Sequence, residues 1–293
     1  MQTQEQINFI LSALPERIKS AMEKCVLSGE IFEEIRLRTG MPVSFTKKGK
    51  SLFLYRDGSL SPEPDASLII SAEELEDTLL KISDNSVFAH TKEIENGYIA
   101  APGGIRVGVS GDFSPTLAGI NSANIRIPRQ IIGCADFIFS RFSGGMLLAG
   151  PPGSGKTTML RDLIRQLSKN GTRVSVVDSR REISGGNNIF DLGFNTDVLF
   201  LEDKAFGAIC ALKTMYPQVI AFDEIGTSNE LDSIFEAFNA GVDIIATAHA
   251  GSLSEIKTRS VTGKLIESGA VKTIVLLSKN IGERPKIYSV EEI

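Results

Sequence analysis

Nine residues at positions 150–158, GPPGSGKTT, combine glycines, a lysine and hydroxyl side chains at a spacing that suits phosphate oxygens. They match the pattern G-x-x-x-x-G-K-[ST], follow the apolar run MLLA and precede a helical pattern. Glycines let backbone N–H groups fold around phosphate, and the N-terminus of the following helix adds its positive dipole. The pattern therefore predicts a loop that binds the phosphates of a nucleoside triphosphate. This loop comprises Gly150, Pro151, Pro152, Gly153, Ser154, Gly155, Lys156, Thr157 and Thr158.

The expected ligands of this loop are ATP and Mg²⁺. Lys156 is expected to reach the β- and γ-phosphates, and the Thr157 hydroxyl is expected to coordinate the metal ion. A phosphate cradle alone does not hydrolyse nucleotide, so the chain should also carry acidic residues at a strand end. The segment VIAFDEIG supplies them. Asp223 is predicted to hold the Mg²⁺ shell, and Glu224 is predicted to act as general base on the attacking water.

Two further strand ends carry polar side chains that could face the same crevice. In VSVVDSRREI, Asp178 and Glu182 end the strand after the phosphate-loop helix. A catalytic role and a loop salt-bridged to Arg180 or Arg181 fit this segment equally well. His249 ends IIATAHA; a lone histidine there is more often structural, but its place in this series of strand ends favours contact with the γ-phosphate or the water.

Two arginines lie outside the segment that carries the phosphate loop. Arg106 belongs to GGIRVGVSGD and Arg126 to NIRIPR. Arginine neutralises charge on a transferred phosphate, and in ring ATPases a neighbouring subunit often supplies it. Most arginines on strands are merely exposed, so spacing alone leaves both interpretations open.

Alternating apolar runs and helical patterns from residue 146 onward predict an α/β domain with a parallel sheet. The helical pattern TTMLRDLIRQLSKNG separates the first two strands. The predicted strands are MLLA (146–149), RVSVV (173–177), VLFL (198–201), QVIAF (218–222), DIIAT (243–247) and TIVLLS (273–278).

The first part of the chain is predicted to be a smaller α+β domain, residues 1–138, ahead of the sheet domain, residues 139–293. A helix is expected at about 4–25, extended pieces at EEIRLRT, MPVSFT and SLFLY, and a helix that begins with a capping pattern from Ser71 to Glu74. A second helix is expected near 85–96. YIAA and IRVGVSG are expected to form a hairpin through Pro102, Gly103 and Gly104.

The composition limits the classes of partner and of location. A net charge of -5, from 31 basic and 36 acidic residues, gives no broad basic field, which disfavours nucleic acid and anionic lipid. The three cysteines are far apart and the chain has two histidines, so a zinc site is not expected. The low cysteine count suits a reducing cytoplasm. Neither a signal peptide nor a long apolar run is apparent. We therefore expect a cytoplasmic protein that reaches a membrane only through a partner protein.

These stretches together resemble the stage III sporulation protein AA family of endospore-forming bacteria, which is itself similar to the ATPases of type II secretion and type IV pili. The resemblance covers nearly the whole chain, and its most discriminating stretches are EIRLR, RVGVSGD and NIRIPR. It implies a RecA-like ATPase domain behind a smaller N-terminal domain. It also implies assembly into a ring, expected to be a hexamer, with ATP at subunit or domain boundaries.

The resemblance also implies roles for individual residues. Asp178 and Glu182 match the aspartate-box region, Asp223 and Glu224 match the Walker B acids, and His249 matches the histidine box. The implied biological role is that of a cytoplasmic motor for the channel between mother cell and forespore, docked on membrane proteins of that complex.

Arg106 and Arg126 match positions where the secretion ATPases keep arginines that reach the phosphates. The aspartate-box stretch departs from the family, since it reads DSRREI where DERSEI is common. Ser179 therefore replaces an acid, and handling of metal or water by this box is in doubt. The tetracysteine site of some type II secretion ATPases is missing from the sequence.

Two other functional classes stay open. A nucleic-acid-dependent motor can use the same RecA-like core, although the acidic balance and the lack of a basic tail disfavour it. A scaffold could bind ATP without hydrolysing it. The presence of Glu224 argues against a scaffold, but the altered 178–182 box leaves room for one.

Overall fold

The computed structural model describes residues 4–47, 49–84, 97–112, 119–186, 189–280 and 282–292. The chain divides into two compact units, one ending at Arg129 and the other beginning at Gln130. The boundary expected after residue 138 falls inside the second unit, because Ala135 and Ile138 are buried in that unit's core.

The N-terminal unit is an antiparallel sheet with helices. Its described helices are α1 (Gln4–Ala13), α2 (Glu16–Leu27) and α3 (Ala72–Ile82). Its described strands are β1 (Glu34–Arg38), β2 (Ser44–Lys47), β3 (Lys50–Leu54), β4 (Leu60–Ser61), β5 (Tyr98–Ala101), β6 (Ile105–Gly111) and β7 (Ile120–Arg126). They pair in the order β4-β3-β2-β1-β7-β6-β5.

Alternation along these strands separates a buried face from a polar face. Ile35 and Leu37 of β1 are fully buried with Val107 of β6 and Phe45 of β2 in one apolar cluster. The residues between them point to the other side of the sheet, because side chains alternate along a strand. The polar face therefore carries the arginines of β1, β6 and β7.

Most of the predicted N-terminal elements are present. Ser71 accepts a hydrogen bond from the Glu74 amide and Glu74 accepts one from the Ser71 amide, which confirms the capping pattern. The hairpin of β5 and β6 is confirmed, with Gly103 at φ +80° in its turn. The single helix expected at 4–25 is wrong: Pro15 separates α1 from α2, because proline favours the start of a helix over its interior. The helix expected near 85–96 lies outside the described residues.

The C-terminal unit is the predicted α/β sheet covered by helices. Its described strands are β8 (Met146–Gly150), β9 (Val174–Val177), β10 (Thr196–Leu199), β11 (Val219–Phe222), β12 (Asp243–His249), β13 (Thr273–Leu276) and β14 (Lys286–Ser289). Its described helices are α4 (Asp136–Phe139), α5 (Lys156–Lys169), α6 (Lys204–Thr214), α7 (Ser228–Asn239), α8 (Leu253–Thr258) and α9 (Ser260–Glu267).

The strand order is β10-β9-β11-β12-β8-β13-β14, and all neighbours are parallel except β13 and β14. The fold class predicted from the sequence is confirmed, namely a mostly parallel α/β sheet preceded by an antiparallel domain. The carboxyl ends of β8, β9, β11 and β12 meet at one edge, which is where open parallel sheets bind ligands. Within the described residues, no helix combines the length and the apolar character needed to cross a bilayer.

Candidate nucleotide-binding site

The phosphate loop joins the end of β8 to the start of α5, as predicted. Gly153 and Gly155 adopt φ values of +74° and +91°, in the left-handed region that favours glycine. A Cβ atom at Gly150 would lie 2.6 Å from the Ser154 hydroxyl and 3.1 Å from the carbonyl oxygen of Leu277. Glycine at these positions is therefore a requirement of the backbone path, which holds the loop open ahead of a helix N-terminus.

The Lys156 side chain is folded against its own loop. Its Nζ atom donates to the carbonyl oxygens of Gly150 and Pro151, each at 2.9 Å, and lies 3.1 Å from Nδ1 of His249. Burial lowers the pKa of Lys156, and the charges of Asp223 and Glu224 oppose that shift. The ammonium group thus lies at the loop, bound to carbonyl oxygens that phosphate oxygens can replace.

A buried hydroxyl in the loop supports the fit of a phosphate group. Ser154 is 7% exposed, and its Oγ atom has no hydrogen-bond partner among the residues that the structure describes. Buried polar atoms are nearly always satisfied, so an orphaned hydroxyl inside a glycine-rich loop suggests a ligand that completes it.

The residues expected to hold Mg²⁺ lie together. Thr157 Oγ1 is 3.3 Å from Asp223 Oδ1, and Thr247 Oγ1 donates to the same carboxylate oxygen at 3.0 Å. A hydroxyl and a carboxylate are the hard oxygen donors that Mg²⁺ prefers, and a small number of protein ligands is usual for it. The residues present therefore fit a magnesium ion beside the phosphate loop.

Glu224 follows Asp223 in an unusual backbone conformation, with φ at +44°. Its amide donates to Thr247 Oγ1 at 2.8 Å. Its carboxylate lies between an arginine and a histidine. Oε2 is 3.2 Å from Arg180 Nη1, and Oε1 is 3.4 Å from His249 Nε2. The predicted base therefore lies in the same crevice as the phosphate loop. Thr247, which contacts both Asp223 and Glu224, was not singled out by the sequence.

The contacts of His249 fix the position of its proton. A lysine ammonium group can only donate, so Nδ1 of His249 accepts from Lys156 and the neutral ring carries its proton on Nε2. That proton faces Glu224. The strand end of β12 thus connects Lys156 with the predicted base, and contact of His249 with the γ-phosphate or the water stays a prediction.

Asp178 differs from the expectation that its carboxylate faces the crevice. It is 1% exposed, and its oxygens accept from the amides of Glu182, Ile183 and Ser184 and from the Ser184 hydroxyl at 2.8–3.2 Å. These donors all belong to the loop after β9. Asp178 therefore organises that loop, and a catalytic role for Glu182 remains a prediction.

Among the described residues, neither Arg180 nor Arg181 pairs with the Asp178 carboxylate, so the alternative interpretation does not hold for Asp178. Arg180 pairs with Glu224, and Arg181 stacks over the ring of Phe200. The arginine that holds the loop is Arg161, which is buried and donates to the carbonyl oxygens of Glu182 and Ile183. Sequence spacing gave no signal for Arg161, which lies on α5.

Arg106 and Arg126 are brought together in the N-terminal unit. They face each other in register across β6 and β7. Arg126 Nε lies 3.3 Å from Glu34 Oε1, and Arg106 stacks 4.3 Å from the ring of Tyr98. Directly opposed residues share one face of a sheet, so the two guanidinium groups belong to a common polar surface. A role at the phosphates stays a prediction for both.

The structure is similar to solved ATPases over most of its length. It matches the Legionella pneumophila ATPase DotB with a TM-score of 0.59 and 18% identity, over 90% of this chain and 76% of that one. It matches the pilus retraction motor PilT, solved with bound ADP, with a TM-score of 0.57 and 17% identity, over 92% and 80% of the two chains. These similarities establish a RecA-like ATPase fold for the C-terminal unit.

Sequence comparison gives a closer relationship. The chain is 33% identical to stage III sporulation protein AA of Bacillus subtilis, over 94% of this chain and 92% of that protein. It is 30% identical to the uncharacterized protein ycf45 of Cyanidium caldarium, over 52% and 47% of the two chains. The family described as sporulation stage III, protein AA, matches residues 1–291. The chain therefore belongs to the stage III sporulation protein AA family.

Proposed function

We propose that this protein is a Mg²⁺-dependent ATPase that assembles into a ring and drives a membrane secretion or channel complex from the cytoplasmic side during sporulation. One observation carries the enzymatic part. Lys156 and Thr157 of the phosphate loop lie at the same sheet edge as Asp223 and Glu224. The Thr157 hydroxyl contacts Asp223 directly, and His249 contacts both Lys156 and Glu224. Phosphate binding, metal binding and water activation are thereby assigned to one crevice.

Each group has a chemical task in this proposal. The loop amides and Lys156 hold the β- and γ-phosphates, while Thr157 and Asp223 hold the metal ion. In that place a bound Mg²⁺ ion would neutralise the negative charge that develops on the phosphate oxygens. Glu224 orients water and accepts its proton as the water oxygen attacks the γ-phosphorus. The bond to the β,γ-bridging oxygen then breaks, and its electron pair leaves with ADP.

The resting contacts of Glu224 must change during this reaction. Its carboxylate is shared between Arg180 and His249, and Lys156 occupies the other nitrogen of His249. The phosphates of ATP attract Arg180 more strongly than one carboxylate does, because they carry more negative charge. Substrate binding thus releases Glu224 from Arg180, and the oxygen that faced Arg180 can then accept from the water.

The motor and ring parts of the proposal rest on family membership and fold. The fold is that of ATPases such as DotB and PilT, the latter named as a pilus retraction motor. In this proposal Arg106 and Arg126 complete the site of a neighbouring subunit, which makes activity depend on assembly. The partner is a membrane protein of the sporulation channel complex.

Steady-state ATP turnover tests the enzymatic proposal. Lys156→Ala and Glu224→Gln are expected to abolish turnover, whereas Lys169→Ala, an exposed lysine on the same helix, keeps it at the wild-type rate. Unchanged turnover in both site variants contradicts the proposal. A salt-sensitive rise in turnover on adding single-stranded DNA or RNA supports the nucleic-acid motor in its place.

A further inference from the structure

We propose that Lys204 is a positioning residue that holds Glu224 in its working conformation. The inference rests on the proposed ATP hydrolysis. Lys204 is the first residue of α6, whose N-cap Asp203 accepts a hydrogen bond from the Phe206 amide at 3.1 Å. Its Nζ atom donates to the carbonyl oxygen of Asp223 at 2.7 Å and to that of Glu224. One ammonium group therefore binds the backbone of both predicted acidic residues.

The third contact of this ammonium group is a carboxylate. Nζ of Lys204 lies 3.5 Å from Oε1 of Glu230, and the two side chains are 11% and 17% exposed. The ammonium group donates to two carbonyl oxygens, and the nearby carboxylate balances its charge. A lysine side chain that is mostly buried and has these three partners has little freedom to move.

Glu230 is itself fixed and charged. It closes the capping box of α7 with Thr227, and its Oε2 atom accepts from the amides of Gly226 and Thr227 at 2.8 and 2.9 Å. Burial disfavours the carboxylate, but those amides and the charge of Lys204 outweigh it and lower the pKa of Glu230. Lys204 thus fastens the segment 223–224 to the start of α7.

The backbone conformation of Glu224 needs contacts that hold it in place. A residue with a Cβ atom is disfavoured at φ +44°, and conformations of this kind persist only where surrounding contacts impose them. Thr247 holds the amide side of Glu224, and Lys204 holds its carbonyl side. In this conformation the Glu224 carboxylate lies beside His249.

Replacing Lys204 by methionine tests the inference, because methionine keeps the apolar stem and removes the ammonium group. We expect kcat to fall by about 10- to 100-fold, since a small misplacement of a catalytic group costs that much. KM and the affinity for a fluorescent ATP analogue are expected to stay near wild type, because within the described part of the chain Lys204 contacts Asp223, Glu224 and Glu230 and not the phosphate loop. Lys213→Met, at an exposed lysine of the same helix, is expected to leave kcat unchanged.

The outcomes separate this inference from the proposed function. Wild-type kcat in Lys204→Met, while Lys156→Ala abolishes turnover, overturns the role of Lys204 and leaves the ATPase standing. An equal loss of nucleotide affinity and kcat also overturns it, because that pattern indicates general disruption of the site. Turnover that survives Lys156→Ala contradicts the ATPase itself. If Lys204→Met does not fold by circular dichroism, Lys204→Gln is measured in the same way, with the same expected split between kcat and KM.

Discussion

The Nζ atom of Lys156 lies 3.1 Å from Nδ1 of His249, and Nε2 of the same ring faces Glu224 at 3.4 Å. A single imidazole therefore touches both the lysine that is proposed to bind phosphate and the carboxylate that is proposed to activate water. ATP is expected to draw Lys156 toward its phosphates, after which the ring keeps only its contact with Glu224. We therefore expect the contacts of Glu224 to depend on whether the phosphate loop is occupied.

Replacing His249 by alanine tests that connection. We expect kcat to fall by about 100-fold, a usual loss when a group that assists proton transfer is removed. ATP affinity should change little, because the loop amides and Lys156 remain. Steady-state kinetics together with equilibrium binding of a non-hydrolysable analogue provides the measurement. A wild-type kcat in His249→Ala would show that the ring is a structural neighbour only.

The proposed sharing of sites between subunits predicts complementation. Arg126→Ala and Lys156→Ala should each be inactive, since each lacks one part of every site. In mixed rings some interfaces join an intact Lys156 to an intact Arg126, so an equal mixture should recover about a quarter of wild-type turnover.

The matched control for this mixing experiment uses two residues of one unit. Lys156→Ala mixed with Glu224→Gln should recover nothing, because both residues belong to the same half of the site. Full activity of Arg126→Ala alone, or a mixture no more active than its components, would refute a role for Arg126 across an interface. The same experiment with Arg106→Ala tests the second arginine.

Asp178 is expected to govern stability more than catalysis. Asp178→Ala leaves three amides of the loop without their acceptor and leaves the Ser184 hydroxyl only the Gly186 carbonyl, so we expect a loss of about 3 kcal/mol or more in the free energy of unfolding. Urea unfolding followed by circular dichroism measures it. Asp197→Ala, at an exposed aspartate of β10, should cost far less. Equal losses in the two variants would contradict the buried role of Asp178.

The three cysteines should differ in reactivity. Burial raises the pKa of Cys25 to about 11 and that of Cys134 to about 12, so both thiols stay protonated at pH 8. Alkylating agents react with the thiolate, and Cys210 is partly exposed. Mass spectrometry after brief treatment with iodoacetamide at pH 8 should find label on Cys210 first. Labelling of Cys25 at a similar rate in the folded protein would contradict its burial.

The sequence predicted the parts of the site that depend on local pattern. The phosphate loop was recognisable because its glycines, lysine and threonine lie within nine consecutive residues. Asp223 and His249 were recognisable because residues at the ends of parallel strands meet at one edge. The six predicted strands of the C-terminal unit are all present, whereas β14 was missed because its short, partly exposed sequence resembles a surface turn.

The contacts that the sequence did not predict join residues far apart in the chain. Lys204 binds carbonyl groups 19 and 20 positions away, and Thr247 binds residues 23 and 24 positions away. Sequence spacing does not predict contacts between residues so far apart in the chain. The sequence leaves the place of Asp178 open, because an aspartate after a strand looks the same whether its oxygens face a ligand or the amides of its own loop. Only the path of that loop decides between the two.

The central claim is that this chain hydrolyses ATP through Glu224 in a site built on Lys156, and the nucleotide that the protein retains tests it most directly. The protein is incubated with Mg²⁺ and radiolabelled ATP, free nucleotide is removed, and the bound nucleotide is identified. The account predicts ADP on the wild type, intact ATP on Glu224→Gln and no nucleotide on Lys156→Ala. ADP appearing on Glu224→Gln as fast as on the wild type would contradict the account.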